Sequence, residues 1–101
     1  MRLLEAMGEI LEGAKGIQAV LRDFKANFPF HNDLDFIDDR TSEGNRVLVG
    51  TGKFAIQGRR AGILVKNGLV DIIEGPFGKQ LELTTKGRKS LAVSRDAWDE
   101  I

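Results

Sequence analysis

The stretch "LVDIIEGPFGKQLELTT", residues 69–85, limits the fold more than any other part of the chain. Two apolar runs flank "GPFG", a tight turn with glycine on both sides. After the turn, Leu81 and Leu83 alternate with Gln80 and Glu82. A period of two marks a strand with one buried face, so the segment predicts an antiparallel hairpin with Leu81 and Leu83 turned inward. A lone two-stranded hairpin is marginal in water, and the rest of the chain must supply the layer that covers it.

Part of that layer is readable as helix. Apolar or small residues fall at Leu3, Met7, Ile10, Ala14, Ile17, Leu21, Phe24 and Phe28, in steps of four and three. This spacing predicts a helical stripe, widened by Leu4, Leu11 and Val20 toward globular packing. Gly8, Gly13 and Gly16 each cost ~1 kcal/mol against alanine in a helix interior, so a break is expected near Gly13–Gly16. The second piece should end near Asn27, because Pro29 cannot continue a helix and biases Phe28 toward extended backbone. Beyond it, "FHNDLDFIDDRTSEGN" (30–45) is acidic and rich in cap and turn formers. It reads as an acidic loop, or as a short helix within Asp33–Arg40 capped by Asn32 or Asp33.

The middle leaves two readings open. In "RVLVGTGKFAIQ" (46–57) the β-branched residues favour a strand, while Gly50 and Gly52 interrupt any regular element. "GRRAGILVKNGLV" puts Ala61, Leu64 and Val65 on one helical face and closes with Asn67-Gly68, a good helix C-terminus. The same Asn-Gly pair suits a two-residue hairpin turn between "GILV" and "LVDII". The second choice makes residues 46–85 an antiparallel β-meander under an N-terminal helix. After the hairpin, Thr84 or Thr85 can cap a final helix, with Leu91, Val93 and Trp98 packing back on the body.

A chain of 101 residues suits a single domain. With no cysteine, neither a disulfide framework nor a thiolate metal site is open to it. Glu5, Glu9 and Glu12 interrupt what a secretion signal would need, and no apolar run reaches the ~20 residues that span a bilayer. These points lead to the expectation of a soluble, cytoplasmic protein without membrane contact. The formal net charge is zero, yet it is unevenly spread. Residues 1–43 hold five Lys/Arg against nine Asp/Glu, residues 44–95 ten against three, and residues 96–101 three acids alone. A segment of net +7 creates a local field that attracts polyanions.

The residues "LVKNGLVDIIEGPFGKQLELTTKGRKSL" (64–91) resemble the second half of a prokaryotic winged helix-turn-helix domain of the MarR-like or PadR-like kind. Leu64, Gly68, Leu69 and Val70 match the end of its recognition helix; Leu83, Thr84, Gly87 and Arg88 match the start of the helix after the wing. The resemblance implies an α+β winged helix: N-terminal helices (1–28, a candidate dimerisation segment), a recognition helix near 57–67, a two-stranded wing and a short C-terminal helix. It also places the first helix of the unit near 43–52.

A helix at 57–67 would present Gln57, Arg59 and Arg60 to base edges in the major groove, where Arg forks onto guanine and Gln pairs with adenine. Lys53, Lys79, Arg88 and Lys89 would neutralise phosphates. The implied partner is double-stranded DNA, bound by a homodimer acting as a transcriptional regulator. Phe77 stands at the wing turn where arginine is common in the family. It suggests an alternative, a winged-helix adaptor or small viral or mobile-element inhibitor that uses Phe77 as a wedge for a partner protein.

Other chemistries find little footing. In "VGTGKF" Lys53 precedes Phe54, so the hydroxyl that a phosphate loop gives to magnesium is missing. The acidic run fails EF-hand spacing, because Ile37 and Asp38 stand where a ligand and then glycine belong. His31 is the only histidine, and nothing in the sequence marks Ser42, Ser90 or Ser94 as a nucleophile. No cofactor is expected and no enzyme is suggested.

Overall fold

The hairpin forms as expected. β3 (Val70–Gly75) and β4 (Gly78–Leu83) pair antiparallel from Val70↔Leu83 to Gly75↔Gly78, leaving Pro76 and Phe77 as a two-residue turn. Gly78 has φ +111°, a backbone that L side chains rarely adopt, which explains the glycine after Phe77. Leu81 and Leu83 are buried and Glu82 is exposed. Gln80 departs from the outward orientation expected of it: it is half-buried, with its Oε1 enclosed beside Gly75 and without a hydrogen-bond partner.

The computed structural model describes residues 14–100. Among them, helix α1 spans Ala14–Asn27, α2 His31–Ser42, α3 Gly58–Lys66 and α4 Thr85–Asp99; two short strands, β1 (Leu48–Val49) and β2 (Ala55–Ile56), lie between α2 and α3. The class is α+β, with a mixed four-stranded sheet in the order β2-β1-β4-β3. β1 joins the hairpin antiparallel through Leu48↔Gln80, and the Leu81 N–H donates to the Val47 carbonyl at 2.9 Å.

Several expectations need correction. Residues 58–66 are helical, so the β-meander alternative does not form. The helix placed near 43–52 is absent, and a strand–loop–strand stands there instead. Gly50 (φ +150°) and Gly52 (φ +127°) turn the chain so sharply that β2 lies parallel to β1 after only residues 50–54. A regular parallel connection needs about a dozen residues or more, so this one rests on glycine geometry. The acidic segment is a full helix, α2, whose N-cap is Phe30 with no side-chain capping bond, in place of Asn32 or Asp33. The C-terminal helix is long, not short, and Val93 is 59% exposed on it. α1 ends at Asn27 as expected; the break sought near Gly13–Gly16 falls at the edge of the described residues, with Gly16 inside α1. No helix of the described residues is long and apolar enough to cross a membrane.

One core holds α2 to α4 together. Leu34 and Ile37 of α2, Val47, Ile56, Ala61 and Leu64 of α3, Leu69, Val70, Leu81, Leu83 and Leu91 of α4 are buried in a single cluster. Burying each large aliphatic side chain contributes ~1.5–3 kcal/mol. α1 stands outside that cluster. It docks through Phe24, whose ring meets Phe28, His31 and Trp98 at centroid distances of 5.0–5.1 Å, two of them edge-on.

The motif residues at 64–88 meet at one junction. The Asn67 N–H donates to the Ile63 carbonyl, Gly68 N–H to Val65 and Leu69 N–H to Leu64, closing α3 with Gly68 at φ +73°. The released chain is then clamped by α4. Thr84 Oγ1 donates to the Gly68 carbonyl (2.6 Å), the Thr84 N–H donates to the Leu69 carbonyl (3.0 Å), and Thr84 Oγ1 accepts from the Gly87 N–H (2.9 Å). Gly87 lies against the Leu69 carbonyl so closely that a Cβ would sit 2.0 Å from its oxygen. The glycine is required by backbone-to-backbone contact.

Candidate nucleic-acid interface

Helix α3 buries a narrow face, Ala61 and Leu64. Val65, expected beside them, is 40% exposed, and Arg59, Gly62, Ile63 and Lys66 are exposed at spacings of three, four and seven. Lys66 lies in the last turn, where a cation complements the helix dipole, and Asn67 Nδ2 donates to the Ile63 carbonyl at 2.8 Å. At the other end Gln57 is the N-cap residue; its backbone carbonyl accepts from the Ala61 N–H, and its side chain makes no capping bond.

Arg60 is engaged elsewhere. Its Nε and NH2 donate to the two carboxylate oxygens of Asp33 in the first turn of α2, a forked pair in which Asp33 is only 17% exposed. Arg60 thus ties α3 to α2, and Arg59 is left without a carboxylate partner among the described residues. Arg88 leans toward Asp38 at 3.9 Å, and Arg95 bridges Asp35 (2.6 Å), Asp38 (2.9 Å) and Asp39 (3.4 Å). The hydrogen bonds that Arg95 donates to Asp35 hold its pKa above the ordinary value, against the opposing effect of burial. The charge division along the chain is therefore partly cancelled in space. Carboxylates on two sides of α2 take three arginines from the basic segment: Asp33 holds Arg60, while Asp35, Asp38 and Asp39, at i, i+3 and i+4 on another face, take Arg88 and Arg95. Clean separation of acidic and basic faces, the natural reading of the charge pattern, does not occur.

The remaining sequence-predicted residues disperse. Lys53 is exposed in the loop between β1 and β2, its Nζ 5.6 Å from the Phe54 ring centroid. Lys79 is exposed on β4 opposite Glu74. Lys89 is exposed on α4, one residue beyond Arg88. Phe77 is 69% exposed at the turn, with the Arg46 guanidinium 4.9 Å from its ring centroid.

Two groupings escaped the sequence. Arg40 lies 4.1 Å from the ring centroid of Phe54, itself 51% exposed, and the two Arg–Phe pairs border one cleft of about 340 Å³. Elsewhere His31 Nδ1 lies 2.7 Å from Ser94 Oγ, which donates to the Leu91 carbonyl at 3.0 Å. With its one proton so used, Ser94 accepts from the imidazole, and at 2% exposure it is a structural link between α2 and α4. His31 also borders a cleft of about 480 Å³ with Phe24, Phe28 and Trp98. Of the α3 face, spacing gave the buried Ala61 and Leu64 and the outward Arg59, while Val65 and Arg60 fall otherwise than expected; the other two groupings meet only in space. Compared with protein-family models, curated proteins and solved structures, the chain has no match.

Proposed function

We propose that this chain is a winged-helix-like DNA-binding module that acts as a non-enzymatic regulator of transcription. The observation that carries the reading is α3: a short helix docked by Ala61 and Leu64, offering Arg59, Gly62, Ile63 and Lys66 outward and feeding directly into the β3–β4 hairpin. A convex helix bearing a guanidinium unpaired among the described residues, an apolar contact and an ammonium suits major-groove chemistry. Arg59 would take guanine O6/N7, Ile63 a thymine methyl and Lys66 a phosphate. Gly62 lets the helix approach the base edges closely, and among the described residues nothing beyond its own helix backbone and chain neighbours lies within 4 Å of where its Cβ would be. Arg60 moves from reading to positioning, since Asp33 holds it. Lys53, Lys79 and Lys89 remain exposed for phosphates. α1 meets the body through one aromatic cluster and leaves Leu21 exposed, which favours pairing of two copies along it.

The test is binding to a duplex selected from a random pool, measured by anisotropy across salt concentrations. Arg59→Ala should cost ~1–3 kcal/mol on the selected duplex and relax preference at one position. Arg60→Ala should act less. Lys79→Ala should weaken all duplexes alike and lower the salt slope by about 0.9. Equal affinity for heparin, random duplex and selected duplex would refute sequence-specific regulation. The second reading, a protein-interaction module, is favoured by Phe77 and Ile63, both large, apolar and exposed. It predicts a complex that persists at salt concentrations where phosphate-driven binding fails.

A further inference from the structure

Phe54 and Phe77 are out of place for folding alone. Each is a large ring left mostly in water, Phe54 at the end of the glycine-bent 50–54 loop and Phe77 at the tip of a two-residue turn. Each also carries a guanidinium at stacking distance, Arg40 at 4.1 Å and Arg46 at 4.9 Å. Arg40 is oriented by a hydrogen bond from its Nε to the Arg46 carbonyl at 3.1 Å. Neither arginine has a carboxylate within ion-pair distance among the described residues, whereas Arg60, Arg88 and Arg95 all find one on α2. Both pairs open onto the same cleft, whose lining includes Leu48.

We infer that this cleft is a binding site for single-stranded nucleic acid, with unpaired bases stacking on Phe54 and Phe77 and Arg40 and Arg46 holding the adjoining phosphates. The chemistry selects the ligand. An acidic peptide satisfies the two guanidinium groups and leaves the rings in water. A duplex supplies phosphates but keeps its base faces stacked on one another. A single strand offers a free π-face and an anion at every nucleotide, which matches two ring–cation pairs along one cleft. As a base enters, the cation over each ring turns from the π-face to the neighbouring phosphate, so the site exchanges one favourable contact for two. The preference is for strandedness and not for sequence, because every base has a face to stack. This site is independent of the duplex reading of α3.

The test uses the full chain and a fluorescein-labelled oligo-dT of about 12 nucleotides, with the matching duplex and a glutamate peptide as comparison probes at ~0.1 M salt. Oligo-dT should bind more tightly than the glutamate peptide, and the Phe54→Ala/Phe77→Ala double variant should lose oligo-dT while keeping its affinity for the duplex; an equal loss on both would overturn the preference for strandedness. Phe54→Ala and Phe77→Ala should each weaken oligo-dT binding about tenfold while the chain still unfolds in one cooperative transition, since neither ring belongs to the core cluster. Arg46→Gln should lower the salt slope by about 0.7. Phe77→Trp should keep the affinity and lose indole emission on binding, a signature of stacking that a purely electrostatic contact lacks. Arg59→Ala should leave oligo-dT binding unchanged, so failure here and failure of the α3 reading are separable. Absence of oligo-dT binding, an undiminished affinity in the Phe54→Ala/Phe77→Ala double variant, or tighter binding of the glutamate peptide would each overturn the assignment.

Discussion

Replacing Gly87 with alanine tests the junction that organises this fold, because local propensity and tertiary contact make opposite forecasts. Propensity alone stabilises α4 by ~1 kcal/mol. The structure opposes it: the new Cβ would sit 2.0 Å from the Leu69 oxygen and 3.0 Å from its carbonyl carbon. Those atoms are backbone and cannot swing away, so the start of α4 must retreat by ~1 Å or more to reach ordinary contact. That retreat strains the Thr84 N–H bond to Leu69, the Thr84 hydroxyl bond to Gly68 and the cap to the Gly87 N–H. At ~1 kcal/mol for each of the three bonds and ~1–3 kcal/mol for overpacking, the loss outweighs the propensity gain and leaves a net destabilisation of ~3–5 kcal/mol. With a urea m-value of ~1.5 kcal/mol per molar, the midpoint should fall by about 2–3 M. Gly62→Ala on the open face of α3 is the control. Among the described residues nothing beyond its own helix backbone and chain neighbours would lie within 4 Å of the new Cβ, so it should raise the midpoint by about 0.5 M. Equal shifts of the two variants in the stabilising direction would show that α4 does not lie against Leu69 as described.

Leu64→Ala should cost ~2–5 kcal/mol in the same urea assay, because the side chain is 1% exposed at the centre of the core. Thr84→Val should cost ~1 kcal/mol, seen as a lower melting temperature, through loss of the α4 cap. A double-mutant cycle of Asp33→Asn with Arg60→Ala should give a coupling of ~1 kcal/mol or less that shrinks with added salt, since the Arg60 side chain is half exposed. If the cycle instead gives several kcal/mol, the pair is dry and the placement of Arg60 at the surface is wrong.

The local patterns that repeat along the chain determined a good deal by themselves. The alternation at 80–83 and the paired glycines fixed the hairpin and its turn. Pro29 after the helical stripe marked the end of α1, and the Thr84-Thr85 pair marked the start of α4 to within one residue, with Thr84 proving the cap. These features depend on neighbours a few residues apart, which is all that periodicity and capping can report. The nature of residues 58–66 was a tie in the sequence, because Asn67-Gly68 closes a helix or a hairpin equally well. Tertiary contact broke it: with Ala61 and Leu64 in the core, the helix buries a face that an extended chain would split between two sides. The strand–loop–strand at 48–56 likewise depended on two glycine dihedrals that composition alone does not dictate. The fate of the charges was the least readable. Whether an arginine is free, as Arg59 and Arg46 are among the described residues, or held, as Arg60 and Arg95 are, depends on carboxylates 27 to 60 positions away in the chain. Charge acts through space and the sequence orders it only along a line, so the free cationic surface became visible only once α2 was folded against α3 and α4.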